Sequence, residues 1–226
     1  FLLFLFFVQE KKFRAGLINK KSRLKEFLKA TKNNFSFIVN NKIIFLLITI
    51  SIIFSFLVAI YGLAYPLLFK QTVNIPDYYF GFLGTLSALM SIIGVFITEK
   101  LTRKRNYFFT FNYFSLILFI LYFAFGLTYT FLLSLLVFAI IELVVNGWQP
   151  IYQSLFNKFI PNKIRAGILS VNSTFSLLST AMGELLAGLL LSLIKPGMLL
   201  ISVAPVFLII VILIAQLQRR TIAVNS

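Results

Sequence analysis

Two carboxylates in this chain stand where carboxylates are costly. Glu142 and Glu184 each lie within a long apolar stretch, and an ionised carboxylate facing hydrocarbon at the centre of a bilayer costs at least about 2.5 kcal/mol. At about 1.5 Å per helical residue, Glu142 falls roughly 17 Å inside its stretch, close to the midplane, with Glu184 nearer the outer face. Such a group has to face a bundle interior or a wet cavity, and there it can carry a proton. The alternative is a protonated Glu that hydrogen-bonds a neighbouring helix for packing alone.

Other polar residues keep company with these acids. Ser170, Ser173, Ser176, Thr180, Glu184 and Ala187 recur every three or four residues, a stripe that faces either water or a close neighbour. Tyr61 and Tyr65 are one turn apart ahead of Pro66, placed to line a ligand cavity or to sit in the outer aromatic belt. Asn146, Gly147, Trp148, Gln149 and Pro150 gather polar and helix-weakening residues in one place. A bend lining a pathway is one reading there, and an interfacial anchor at Trp148 is the other. Gly81, Gly84, Ala88, Ser91, Val95 and Thr98 form a small-residue series suited to close helix packing.

The chain has no Cys and no His, which removes thiol chemistry, His acid/base catalysis, haem ligation and zinc sites built on those residues. No cofactor and no metal site are expected. With 60% hydrophobic and 12% charged residues, the chain lies far from soluble composition, where about a quarter of residues are charged. Its solvent is lipid.

Helices must therefore position the acids, because unpaired backbone groups in lipid are prohibitive and no alternating segments of barrel type occur. Six apolar stretches near or above the roughly 20 residues needed to cross a bilayer run over Ile43–Phe69, Tyr78–Thr98, Tyr107–Leu127, Phe131–Gln149, Ala166–Ile194 and Met198–Leu217. The polar gaps between them alternate in charge. Ten Lys/Arg fall within Glu10–Lys42, four within Glu99–Asn106, three within Asn157–Arg165 and two in the tail from Gln218. The intervening gaps hold only Lys70 and Lys195. Nineteen against two places the basic side in the cytoplasm of a multi-pass cell-membrane protein. The net charge of +15 is thus an orientation signal, and a nucleic-acid surface is not expected.

Phe1–Val8 is apolar but too short to span, and Lys11, Lys12 and Arg14 follow it rather than precede it as in a signal peptide. Residues 1–9 are read as the cut end of a preceding helix and residues 10–42 as a basic cytoplasmic linker. Leu24, Phe27, Leu28, Phe35 and Ile38 suit an amphipathic helix on the headgroups, with Lys25, Lys29 and Lys32 reaching anionic lipid. A solvated linker is the alternative. Residues 43–217 form the bundle, and 218–226 a cytoplasmic tail.

Two of the basic segments carry a resemblance. Gly94 with Glu99-Lys100-Leu101-Thr102-Arg103-Lys104 resembles the loop signature of the major facilitator superfamily between its eighth and ninth helices. Pro161-Asn162-Lys163-Ile164-Arg165-Ala166, with Ser170 following, is similar to the proline-to-arginine approach to its eleventh helix. The resemblance implies an all-α membrane protein whose six-helix bundle is the C-terminal half of a facilitator fold, completed by an N-terminal six-helix half. It also implies alternating access, with substrate near the midplane, a cavity lined by the seventh, eighth, tenth and eleventh helices, and the ninth and twelfth facing lipid. Glu99, at the negative end of its helix dipole, would find partners in Arg103 and in the start of the eleventh helix beside Arg165 when those helix ends meet.

The function expected is a secondary transporter of a small molecule, proton-coupled and exporting. A membrane-embedded enzyme and a structural or receptor-like six-helix protein are the alternatives from other classes.

Overall fold

The computed structural model describes residues 34–104 and 107–225, and every regular element in them is helical. After a helical lead-in at 34–40 come α1 (Lys42–Leu67), which passes into a π-helical turn at Leu68–Thr72, α2 (Tyr79–Lys104), α3 (Tyr107–Gly126) and α4 (Phe131–Phe159). A short 3-10 turn, Asn162–Ile164, leads into α5 (Arg165–Leu191), then α6 (Pro196–Val203) and α7 (Val206–Asn225). With α6 and α7 counted as one span, six are long and apolar enough to cross a membrane. The all-α membrane bundle expected from hydropathy is the architecture observed.

The helix boundaries follow from local chemistry. The Asn41 side chain accepts hydrogen bonds from the Ile43 and Ile44 amides at 3.1 and 3.2 Å, capping donors that α1 leaves free. Pro66 sits inside α1, which ends in the wider π turn, and Asn74 at φ 65° turns the chain out, a left-handed conformation that Asn tolerates. Pro196 opens α6 at its first turn, where the missing N–H costs nothing.

Two spans differ from the sequence expectation. The fourth continues through Pro150 to Phe159, ten residues beyond Gln149. The sixth is divided at Ala204 and Pro205, because Pro205 offers no amide to Ile201 and its ring crowds that carbonyl. Helix α7 also runs past Leu217 to Asn225. In the linker Ile38 is buried and Phe35 exposed, while Leu24, Phe27, Leu28, Lys25, Lys29 and Lys32 lie outside the described residues, as do residues 1–9.

The bundle is built on two extensive helix pairs, α1 against α5 and α2 against α4. Helix α3 packs on α4, α6 and α7, and α7 also reaches α1. Glycines allow the closest approaches. A Cβ on Gly94 would overlap the Leu143 carbonyl, and one on Gly183 would stand 2.7 Å from the Phe56 carbonyl oxygen. Gly126 and Gly197 meet backbone to backbone at the far end. Helices α1 and α3 are the most buried spans, and α2 and α5 are the least. Gly81, Gly84, Ala88 and Val95 lie on the exposed side of α2, so the small-residue series divides: Ser91 is half-buried and Thr98 buried within the bundle.

Candidate functional site

Glu142 lies on the face of α4 that meets both α1 and α2. Tyr61 of α1 donates its hydroxyl to Glu142 Oε1 at 3.1 Å, and Ser87 of α2 donates to Oε2 at 2.6 Å. One turn further along α4, the Asn146 amide donates to the Glu142 carbonyl at 2.8 Å and approaches Oε2 at 3.5 Å. One carboxylate thus ties three helices together, with a donor on each oxygen. This satisfaction is what lets a half-buried acid exist within an apolar span.

Aromatic rings wall this cluster. Tyr61 stacks at a tilt on Tyr65 and Tyr122, with centroids 5.3 and 5.2 Å apart. Tyr61 is buried and Tyr65 half-buried, so both turn into the bundle rather than outward to a headgroup belt. The buried Tyr122 hydroxyl finds no hydrogen-bond partner among the described residues.

Beside the cluster opens a cavity of about 520 Å³ between α1, α4 and α5, lined by Phe54, Val58, Asn146, Gln149, Thr180 and Glu184 among others. Asn146 is shared: it lines this cavity and holds Glu142. A second cavity of about 400 Å³ shares Ser55 and Gln149 with the first. It continues toward the basic end past Ser51, Tyr152, Gln153, Asn172, Ser173 and Ser176. Of the polar stripe of α5, Ser173, Ser176, Thr180 and Glu184 line these cavities, and Ser176 also hydrogen-bonds Ser51 of α1 at 3.0 Å. Ser179, outside that stripe as read from the sequence, locks α5 to α1 by donating to the Ile52 carbonyl at 2.7 Å.

Trp148 is placed elsewhere. It is 1% exposed, its ring lies flat on Phe54 at 3.6 Å, and its N–H donates to Ser115 of α3 at 3.2 Å. It packs the core between α1, α3 and α4. Ser87 and Ser115, the polar partners of Glu142 and Trp148, are the residues that sequence reasoning missed. The only signal for either was a small hydroxyl residue within a largely apolar span.

At the basic end, Glu99 pairs with Arg103 one turn on, at 2.6 Å. It lines a cavity of about 310 Å³ with Thr98, Thr102, Tyr107, Pro150 and Ser154. Thr98 donates to the Gly147 carbonyl at 3.0 Å, joining α2 to α4. Arg165 turns back on α4, donating to the carbonyls of Asn157 at 3.3 Å and Ile160 at 3.5 Å, as a cation does at a helix C-terminus. Pro161 is exposed and begins the 3-10 turn between them. Lys100 is exposed, and Lys104 ends α2. In this conformation Glu99 and Arg165 each have their own partners and do not meet.

A family model described as the Major Facilitator Superfamily matches residues 1–184. A search of curated proteins finds no match.

Proposed function

The chain belongs to the major facilitator superfamily, whose members are membrane transporters, and on that premise we propose that it exports a small molecule by alternating access, coupled to protons at Glu142. The observation that carries this reading is the sharing of Asn146 between the Glu142 cluster and the cavity between α1, α4 and α5. An ionised Glu142 only accepts hydrogen bonds, whereas a protonated one must also donate. Protonation therefore forces Tyr61, Ser87 or Asn146 to rearrange. Those groups sit on α1, α2 and α4, so a proton at one atom changes how three helices meet at the cavity wall.

The exposed faces of α2 and α5 support a further part of the proposal. They are where a second six-helix half would close the cavities, with substrate held near the midplane. The basic ends of the helices face the cytoplasm.

Reconstitution of the full-length protein into vesicles with an internal pH dye tests the coupling. Solutes carried by the wild type should change internal pH. Glu142→Gln should fold and still carry them, with no pH response. Solute movement into inside-out vesicles, driven by an acidic interior, reads out the direction as export. A wild-type pH response in Glu142→Gln would reduce Glu142 to a packing residue.

A further inference from the structure

We propose that Glu184 makes the cavity between α1, α4 and α5 selective for organic cations, with the substrate's positive charge seated against this carboxylate. The inference rests on the transport reading above and names the substrate class of that cavity.

The two acids within the spans differ in what surrounds them: Glu142 is half-buried and Glu184 is exposed on the cavity wall. Glu142 accepts a hydroxyl on each oxygen. Glu184 lines the cavity and has no hydrogen bond or ion pair among the described residues. Among the described residues, no Lys or Arg lines this cavity or the one that continues from it. A carboxylate exposed on a partly apolar wall, with no cation beside it among the described residues, sets a negative potential in the cavity. An anionic solute is repelled there. A cationic one supplies the charge that the site lacks.

The walls narrow the class further. An inorganic divalent ion needs six or more oxygen ligands in the case of calcium, or several waters and carboxylates in the case of magnesium, and no group of three acids able to hold a metal occurs among the described residues. Phe54, Val58, Ala59 and Leu63 instead present apolar surface around the single carboxylate. That combination suits a quaternary or protonated amine, or a phosphonium, carrying apolar substituents. A volume of about 520 Å³ lies within the range of small-molecule sites. Asn146 and Gln149 add hydrogen-bonding groups that orient such a ligand without charge.

Two near-isosteric probes of opposite charge, tetraphenylphosphonium and tetraphenylborate, test the proposal on the purified full-length protein. Tetraphenylphosphonium should bind the wild type, and Glu184→Gln should weaken it at least tenfold. Glu184→Asp should recover most of the affinity. Tetraphenylborate should not compete. Equal affinity in Glu184→Gln, competition by the borate, or no phosphonium binding to the wild type would each overturn the cation assignment. The charge-reversed pair reports on the wild type alone, so misfolding of a variant does not decide the result. Transport of neutral solutes without phosphonium binding leaves the transport reading standing and removes this one. Phosphonium bound at Glu184 with no solute-driven pH change does the reverse.

Discussion

Gly147 of α4 faces Gly94 of α2 so closely that a methyl on Gly147 would stand 3.0 Å from the Gly94 carbonyl oxygen and 2.5 Å from Thr98 Oγ1. The glycine that sequence reasoning placed in a loop signature is therefore also the contact point of a helix pair. Gly94→Ala and Gly147→Ala should each destabilise the bundle by about 1–3 kcal/mol through overpacking. Gly81→Ala and Gly84→Ala, where a Cβ meets nothing within 4 Å, should be neutral or slightly stabilising through helix propensity. Thermal unfolding in detergent measures all four, and equal effects at both pairs of positions would refute the close-approach account.

Tyr61→Phe and Ser87→Ala each remove one donor from Glu142. Each should cost about 1 kcal/mol of stability and move the pH dependence of transport, whereas Tyr65→Phe, whose ring packs on Tyr61 without a hydrogen bond to the acid, should leave that dependence in place. The comparison is made on pH profiles of solute flux. Identical profiles in all three variants would separate the cluster from coupling.

Sidedness is open to a direct check, because the chain has no cysteine of its own. A cysteine replacing exposed Asn162 should react with an impermeant maleimide from the cytoplasmic side alone, and one replacing exposed Thr130 from outside alone. Labelling of Thr130→Cys from the cytoplasm would invert the topology drawn from the 19 to 2 charge partition.

Glu99→Gln breaks an exposed pair at one-turn spacing, so stability should change by less than about 0.5 kcal/mol. If Glu99 also meets the start of α5 when the basic helix ends close, the variant should favour the state open at that end. Reactivity of a cysteine at exposed Gln153 should then rise. Unchanged reactivity at Gln153 confines Glu99 to its local pair with Arg103.

The number of spans was legible because every polar gap but Thr128–Thr130 interrupts the apolar run with charge. The break at Pro205 was not, because Ser202 to Pro205 adds no charge, only a missing amide. Glu142 stood out by its cost in lipid, yet its partners did not. Helices that are apolar around their whole circumference give no periodicity to show which side faces the core. For the same reason Trp148 read equally as a pathway residue or an interfacial anchor, when its surroundings of Phe54, Phe111 and Tyr152 make it part of the core. The polar stripe of α5 was legible because its opposite face is apolar, and it does line the cavities.

The order of residues along the chain has a consequence for biogenesis. Tyr61 and Ser87 precede Glu142, Ser87 by 55 positions, so at about 5–20 residues per second both donors leave the ribosome several seconds before the acid. Helices α1 and α2 thus emerge before the costly carboxylate reaches the translocon. They offer it a ready hydrogen-bonded berth, so the fourth span need not enter lipid with a bare acid at its centre.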